Sequence, residues 1–224
     1  LGLGPSLTPG YTIYKGIYSL RPGYYMYYDG ECQKNCYWKV HDEPHTEDLA
    51  ETIEHVKSLV VESVQQQLIG DVPISTMLSG GLDSSIITAL TSQYVHPLTT
   101  YSITYEDQDK YFQAYDYQTT MDDDYIQEML SRYPTYHHKI TLKQEDLLNA
   151  LEESLIARDM PGMADIDSSF LLFAKEISKN HKVSLSGECA DEIFGGYPWF
   201  YKEELYTQPY FPWMRDLDQK IDLF

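Results

Sequence analysis

The segment Ser79-Gly80-Gly81-Leu82-Asp83-Ser84-Ser85, called loop 1, decides the fold class because it links an apolar, strand-like run to a helical pattern. Residues 72–78 form the apolar run, and a helix is predicted from Ser84, with apolar positions at Ile86, Ile87 and Leu90. At such a junction two glycines let backbone N–H groups approach an anion, and the start of the helix favours negative charge. The hydroxyls of Ser79, Ser84 and Ser85 add donors, so loop 1 predicts a phosphate-binding site.

Loop 1 lacks the Gly-Lys-Ser/Thr sequence of a Walker A loop, so it offers no lysine to the terminal phosphates of a nucleotide. Asp83 would repel those phosphates unless a divalent cation lay between them. Carboxylate and phosphate oxygens are the ligands that Mg²⁺ prefers. Loop 1 therefore predicts a Mg²⁺ ion with Asp83 among its ligands.

Outward from loop 1, short apolar runs alternate with segments of helical periodicity. The predicted strands are residues 72–78, 98–105, 136–142 and 182–186, and the other predicted helices are 125–132, 145–157 and 168–179. This alternation predicts an α/β fold, a mostly parallel sheet with helices on both faces. Because ligands of such sheets bind beyond the carboxyl ends of the strands, the loops after Leu78 and Ser186 are expected to hold the site.

Loop 2, residues 186–197, has the sequence Ser-Gly-Glu-Cys-Ala-Asp-Glu-Ile-Phe-Gly-Gly-Tyr and again leaves an apolar strand through a small residue and a glycine. Asp191 is predicted to share the cation with Asp83, which leaves Glu188 free for proton transfer. The alternative for either loop alone is an ordinary turn with a helix cap; two such loops weigh against it. Glu192 and the trio 122–124 are interpreted as solvated or helix-capping carboxylates and are left out of the site.

The first 40 residues predict short strands in a β-hairpin region. The predicted strands are residues 12–14, 17–20 and the aromatic run 24–28, which is interpreted as a half-buried strand rather than a stacking surface for bases. The charged stretch 41–45 is the predicted domain boundary. Beyond it Thr46 is the predicted N-cap of an amphipathic helix that runs from Leu49 to a glycine cap at Gly70.

Composition limits the partners. The chain has 224 residues, 42% of them hydrophobic, which is enough for one large domain or a domain plus a fragment. Its formal net charge of -19 disfavours nucleic acid and anionic membranes as partners. No stretch has the length of a membrane span and no signal segment opens the chain, so a cytoplasmic protein is expected. The start at Leu1 and the end at Phe224, after a helical run from Trp213, predict a piece of a longer protein.

The cysteines and histidines carry no predicted chemistry of their own. Cys32, Cys36 and Cys189 form an odd, sparse set, which disfavours both a disulfide framework and a structural zinc site. His137 and His138 are neighbours on a predicted strand, so their side chains point to opposite faces and cannot chelate one metal together. A packing role is predicted for both.

Loops 1 and 2 together resemble the synthetase domain of the glutamine-dependent asparagine synthetase family, which belongs to the PP-loop ATP pyrophosphatases. The resemblance extends to residues 101–107, which are similar to the adenine-contacting strand of that family, with Ile103 at the apolar contact position. Residues 1–42 resemble the last strands of the family's glutaminase domain with a linker, including the turns at 15–17 and 21–23. Residues 43–224 then correspond to a truncated ATP-binding domain.

The resemblance implies that ATP and the side-chain carboxylate of aspartate react to give β-aspartyl-AMP and pyrophosphate, after which ammonia from glutamine yields asparagine. It implies ATP and Mg²⁺ at the site, with Glu188 acting on the incoming ammonia. The backbone of Leu78, Ser186 and Gly187 should border the nucleotide. The implied partners are these small molecules and the glutaminase part of the same protein, and a homodimer stays open.

Two departures from the family pattern leave the substrates open. The N-terminal cysteine nucleophile of the glutaminase domain is not in this chain, and none of the three cysteines replaces it. Where many members have a TTxRAS-like segment lining the acceptor site, residues 161–169 carry no arginine in register. Alternatives are therefore the same adenylylation with another acid, as in β-lactam synthetase-like or natural-product relatives, and an ATP-binding module without turnover.

Overall fold

The computed structural model describes residues 8–113, 121–160 and 162–207. In these ranges a two-stranded hairpin precedes a four-stranded sheet with its helices. The helical run predicted from Trp213 lies outside the described residues.

The hairpin consists of β1 (Tyr24–Tyr28) and β2 (Cys32–Cys36), which pair antiparallel across the turn at residues 29–31. Its side chains are mostly exposed, so the prediction of a half-buried aromatic strand is wrong. The strands predicted at 12–14 and 17–20 do not form either. Thr12 Oγ1 instead donates a hydrogen bond to the Ile17 carbonyl, and Gly16 has a φ of 82°, so the segment turns back on itself.

The first long helix is α1 (Leu49–Gln67). An N-cap at Thr46 would start it at residue 47, so it begins two residues later than predicted. Asp48 is the N-cap: its carboxylate accepts a hydrogen bond from Glu51 N–H, and the Glu51 carboxylate accepts one from Asp48 N–H. This reciprocal pair satisfies two otherwise unpaired N–H groups and overrides the weaker cap at Thr46. The helix ends at Gln67, with Leu68 as its C-cap, before the predicted cap at Gly70.

The sheet contains β3 (Ile74–Met77), β4 (Thr99–Tyr105), β5 (Tyr136–Leu142) and β6 (Val183–Leu185) in the order β5-β4-β3-β6. All three pairings are parallel. After β3 the chain adds β4 and β5 on one side and then returns to place β6 on the other side. The strand order therefore reverses at β3, and the carboxyl ends of β3 and β6 lie side by side.

Helices cover both faces of the sheet, as predicted. On one face Thr76 of β3 hydrogen-bonds Thr88 of α2 (Leu82–Thr91), and both side chains are buried. On the other face Tyr101 packs with Phe173 and Ile177 of α7 (Ala164–Ser178). Since Thr76 and Thr100 are register partners, as are Met77 and Tyr101, the two helices lie on opposite sides.

The remaining elements lie around this sheet. They are α3 (Gln108–Tyr111), α4 (Asp122–Arg132), α5 (Gln144–Asn149), α6 (Leu151–Arg158), α8 (Ala190–Phe194), a 3₁₀ turn (Pro198–Phe200) and α9 (Glu203–Tyr206). The helix predicted at 145–157 is thus two helices that meet at Ala150. Helices α2, α4 and α7 each begin two to four residues before the predicted start. No helix in the described ranges is long and apolar enough to cross a membrane.

His137 and His138 point to opposite faces of β5 and take part in packing. The ring of His137 hydrogen-bonds the hydroxyls of Thr100 and Ser102, at 2.9 Å and 3.0 Å. His138 stacks on Tyr101 with ring centroids 5.2 Å apart. Burial, together with the positive charges of His138 and Lys139, lowers the pKa of His137, so this ring is neutral at physiological pH.

Candidate active site

A cleft of about 1090 Å³ lies at the carboxyl edge of the sheet, where the strand order reverses. It brings together most of the predicted site residues, which come from loop 1, from β4 and from loop 2. Those lining it are Leu78, Ser79, Gly81, Asp83, Ser84, Ile103, Ser186, Gly187, Glu188 and Asp191. Gly80 and Ser85 do not line it, so two of the residues predicted to contact a nucleotide lie outside the cleft wall.

Loops 1 and 2 touch at Gly187. A Cβ on this glycine would lie 2.8 Å from Asp83 Cβ and 2.9 Å from the Ser84 backbone nitrogen. No side chain fits in that space without moving the backbone of loop 1. Glycine at this position therefore lets the two loops approach each other and puts their carboxylates on the same cleft.

Ser84 holds loop 1 in shape. Its hydroxyl accepts a hydrogen bond from Ser79 N–H at 3.2 Å and donates to the Gly81 carbonyl at 3.1 Å. It also lies 3.0 Å from Ser79 Oγ, and the residue is buried. The Ser84 side chain therefore closes the loop internally, in addition to lining the cleft.

Gly80 is required by backbone conformation and by packing against α4. Its φ is 82°, in the region that favours glycine, and an added Cβ would lie 2.7 Å from the Asp122 carbonyl oxygen. The start of α4 therefore lies directly on loop 1. This contact gives Gly80 a structural reason that the sequence did not reveal.

Asp83 and Asp191 repel each other electrostatically across the two loops. Burial raises the pKa of the Asp83 carboxyl above its usual range, and the negative charge of Asp191 raises it further. A cation or a proton at these carboxylates would reduce the repulsion. Their oxygens are the donor type that a hard divalent cation takes.

The cleft residues fit a Mg²⁺ site that takes only a few of its ligands from the protein. Within residues 8–113, 121–160 and 162–207 no group of three or more His, Cys, Asp or Glu side chains is placed to hold a metal. Mg²⁺ is commonly bound by one or two carboxylates, with phosphate oxygens and water completing its shell. Asp83 and Asp191 supply that smaller set.

Loop 2 has an unusual backbone between its two predicted functional residues. Cys189 has a φ of 71°, which L-residues rarely adopt, and it caps the short helix α8 that carries Asp191.

Tyr197, at the end of loop 2, also lines the cleft, and its ring stacks on Trp199 with ring centroids 4.3 Å apart. Burial raises the pKa of the Tyr197 hydroxyl, as do the nearby carboxylates led by Glu192.

Sequence reasoning left Asp122 and Asp123 out of the site and did not consider Lys139, and all three side chains line the cleft. The acidic trio does form the first turn of α4, as predicted, yet this turn is also a wall of the cleft. Lys139 Nζ lies 2.5 Å from Asp123 Oδ2. The alternation on β5 could have assigned Lys139 to a face of the sheet, but only the packing of α4 puts that face in the cleft.

The segment that departs from the family pattern also borders the cleft. Ile166, Ser169 and Phe170 line it, and the Tyr105 hydroxyl donates to Ser169 Oγ at 3.0 Å. Nearby, Arg158 forms an ion pair with Asp167 at 2.8 Å. The wall here combines two exposed apolar side chains with a hydroxyl network.

Fold and cleft together define a parallel α/β domain whose ligand cleft lies at a reversal of strand order, beyond the carboxyl ends of its strands. Comparison with known proteins identifies the family within that class. The chain belongs to the asparagine synthase family, whose model matches residues 55–223.

Two Bacillus subtilis proteins show the extent of the similarity. Asparagine synthetase [glutamine-hydrolyzing] 3 is 48% identical over 228 residues, which cover 99% of this chain and 37% of that protein. Asparagine synthetase [glutamine-hydrolyzing] 1 is 30% identical over 183 residues, covering 81% of this chain and 27% of that protein. The chain thus spans about a third of the length of these relatives.

Among solved structures, a glutamine-dependent NAD+ synthetase from Acinetobacter baumannii in complex with ADP aligns with a TM-score of 0.41 and 13% identity. The alignment covers 73% of this chain and 30% of that one. At this level of similarity the fold assignment rests on the strand order and the family match.

Proposed function

We propose that this chain is the ATP-binding part of an amide-forming ligase that adenylylates the side-chain carboxylate of aspartate and transfers ammonia to it. The observation that carries the proposal is the contact of loops 1 and 2 at Gly187, which sets Asp83 and Asp191 on one cleft in a member of the asparagine synthase family. ATP and aspartate would then give β-aspartyl-AMP and pyrophosphate, and ammonia would displace AMP to give asparagine.

The nucleotide is proposed to bind along the carboxyl ends of β3, β4 and β6. The backbone of Leu78, Ser186 and Gly187 borders this edge, and Ile103 offers a half-buried apolar surface to the base. N–H groups at the start of α2 face the region where the phosphates would lie, and a helix start favours negative charge. The Ser84 hydrogen bonds to Ser79 and Gly81 hold the backbone that leads into this helix start before any ligand arrives.

Pyrophosphate gains charge as it leaves, so preorganised donors in loop 1 would stabilise it more than they stabilise bound ATP. A Mg²⁺ ion held by Asp83 and Asp191 would neutralise part of that charge. Glu188 lies exposed on the same cleft, where its carboxylate could accept a proton from ammonia as it attacks. We assign the release of ammonia from glutamine to a glutaminase part of the same protein.

The test is an assay of the protein at its natural length with ATP, Mg²⁺, glutamine or ammonium, and aspartate carrying ¹⁸O in its side-chain carboxylate. Adenylylation predicts AMP and pyrophosphate as products, with one ¹⁸O atom transferred to AMP. Formation of ADP and phosphate instead would overturn the adenylylation step. Asparagine formation with glutamine or ammonium as the only added nitrogen compound would identify which of the two supplies the nitrogen.

One observation favours an acid other than aspartate as the acceptor. The arginine expected in the acceptor segment is missing, and Arg158, the nearest described arginine, is paired with Asp167. The exposed side chains of Ile166 and Phe170 make this wall partly apolar. If aspartate gave no pyrophosphate while an acid with an apolar portion did, the ligase would keep its adenylylating chemistry with that acid as its substrate.

A further inference from the structure

The cleft carries many negative charges and a single positive one. Loop 1, loop 2, the end of β4 and the first turn of α4 all contribute carboxylates to its wall. Among the described residues that line it, Lys139 is the only lysine or arginine. ATP and an amino acid side-chain carboxylate are both anions, so the proposed substrates would meet a repulsive surface apart from this side chain.

Lys139 lies on the side of the sheet where loop 1 begins its helix. It alternates with His137 on β5, and His137 faces Thr100 and Ser102. Thr100 is the register partner of Thr76, which contacts α2. Lys139 and the start of α2 therefore share one face of the sheet, and the two strand spacings between β5 and β3 amount to about 10 Å.

Asp123, the ion-pair partner of Lys139, lies in the first turn of α4, which packs against loop 1. Asp123 follows Asp122, whose carbonyl oxygen lies against Gly80. The side chains of Lys139 and Asp123 are each 42% exposed, so the ion pair is open to solvent. An exposed pair of this kind is weakly held, because water and ions compete with it. The lysine can leave Asp123 at little cost when a stronger anion is present.

From this geometry we infer that Lys139 is a substrate-binding residue: it exchanges Asp123 for an anionic oxygen of a bound substrate, either a nucleotide phosphate or the carboxylate of the acid. The inference rests on the proposed function for the identity of these anions. In the absence of substrate, Asp123 acts as a placeholder that keeps the ammonium group in the cleft. Asp123 therefore competes with the substrate for Lys139.

The test is equilibrium titration of the protein at its natural length with Mg-ATP and, separately, with aspartate in the presence of a Mg²⁺-bound ATP analogue that cannot be cleaved between its α and β phosphates. Lys139→Met retains the aliphatic stem and removes the charge. It should weaken one of the two affinities at least about tenfold, the loss expected when a charge-assisted hydrogen bond is removed. The titration that changes identifies the anion, and Lys139→Arg should restore part of the affinity.

Two further variants separate binding from structure. Asp123→Asn should leave the affinity equal or higher, because it removes the competitor and keeps the lysine. Lys175→Met is the matched control: Lys175 pairs with Glu153 at 2.5 Å, as Lys139 does with Asp123, but neither residue lines the cleft. It changes the net charge by the same amount and should leave both affinities unchanged.

The inference is overturned if Lys139→Met leaves both affinities unchanged, or if Asp123→Asn weakens binding as much as Lys139→Met does. The second result would mean that the ion pair shapes the cleft and that neither residue contacts substrate. These titrations need no turnover. If wild-type protein binds Mg-ATP but releases no pyrophosphate with any acid, the proposed function fails while the nucleotide titration still decides the role of Lys139.

Discussion

Gly187 of loop 2 lies against Asp83 of loop 1 so closely that a Cβ at position 187 would stand 2.8 Å from the Asp83 Cβ. The two residues are 104 positions apart in the chain yet share one contact. This contact sets the position of the Asp83 carboxylate relative to Asp191, so the proposed cation site depends on a residue that has no side chain.

Replacement of Gly187 by alanine is expected to separate the loops. The added methyl group must displace the backbone of loop 1, which should cost about 1–3 kcal/mol of stability, as overpacking does elsewhere. Mg-ATP affinity should fall at least about tenfold for the same reason. Calorimetric titration and thermal unfolding measure the two effects. Gly70→Ala is the control, since a Cβ there meets nothing within 4 Å; equal losses in both variants would refute the contact argument.

Asp83→Asn is expected to stabilise the ligand-free protein and weaken Mg-ATP binding. Burial and then the charge of Asp191 raise the pKa of Asp83 in the folded state, so the folded chain holds this proton more tightly than the unfolded chain. Stability is therefore lost as pH rises from the ordinary aspartate range through the raised folded value. Removing the charge should raise Tm at pH 7 by about 1–3 °C.

The pH dependence provides the check on this interpretation. The Tm difference between Asp83→Asn and wild type should shrink as the pH falls below the usual aspartate pKa, because the wild-type carboxyl is then protonated in both states. A difference that persists at pH 3, or an Asn variant less stable than wild type at pH 7, would contradict it.

His137 should make the protein less stable at mildly acidic pH. Burial first, and then the positive charges of His138 and Lys139, lower its pKa in the folded state. Below about pH 6.5 the unfolded chain takes up a proton that folded His137 refuses, so stability falls as pH drops from there towards the folded value. Above about pH 7.5 this contribution should be absent.

Urea unfolding of wild type and His137→Asn at pH 8 and pH 5.5 tests the prediction. Wild type should lose about 0.5–1 kcal/mol more than the variant between the two pH values. His181, whose pKa is also lowered by burial, is present in both proteins, so its effect cancels. Equal pH dependence of the two proteins would show that His137 is protonated as readily in the folded state.

Cys189→Gly is expected to stabilise loop 2. The φ of 71° costs a residue with a Cβ about 1–2 kcal/mol, and glycine adopts it freely, although glycine also gains entropy in the unfolded chain. The net gain should be up to about 1 kcal/mol, seen as a higher Tm. Cys189→Ser keeps the Cβ and should bring no gain, so a serine variant as stable as the glycine variant would argue against backbone strain.

The elements that the sequence predicted are those with strong local signals. Strand 136–142 was predicted with its full bounds, since its β-branched and aromatic residues lie between turn signals. Loops 1 and 2 were assigned to one edge because parallel strands share a carboxyl edge, and the parallel pairing of β3 with β6 confirms that assignment. The roles of individual residues in them remain predictions.

The residues that the sequence missed depend on contacts between elements. Asp122 and Asp123 looked like ordinary acids of a first helical turn, and nothing in their local sequence shows that this turn packs on Gly80. For the segment from Thr12 to Leu20 the strand prediction was wrong for a different reason. Its residues have strand-like propensity, but within the described chain they have no strand to pair with, so side-chain and turn hydrogen bonds decide their conformation.

The strand order β5-β4-β3-β6 makes ligand affinity a measure of complete folding. Loop 1 is synthesised early, but β6 is the last of the four described strands of the sheet to leave the ribosome and must insert beside β3 before Gly187 can meet Asp83. A nascent chain that ends before Val183 holds half of the cleft, so it should not retain nucleotide. Capture on immobilised ATP would therefore select molecules whose slowest, most long-range strand pairing is already in place.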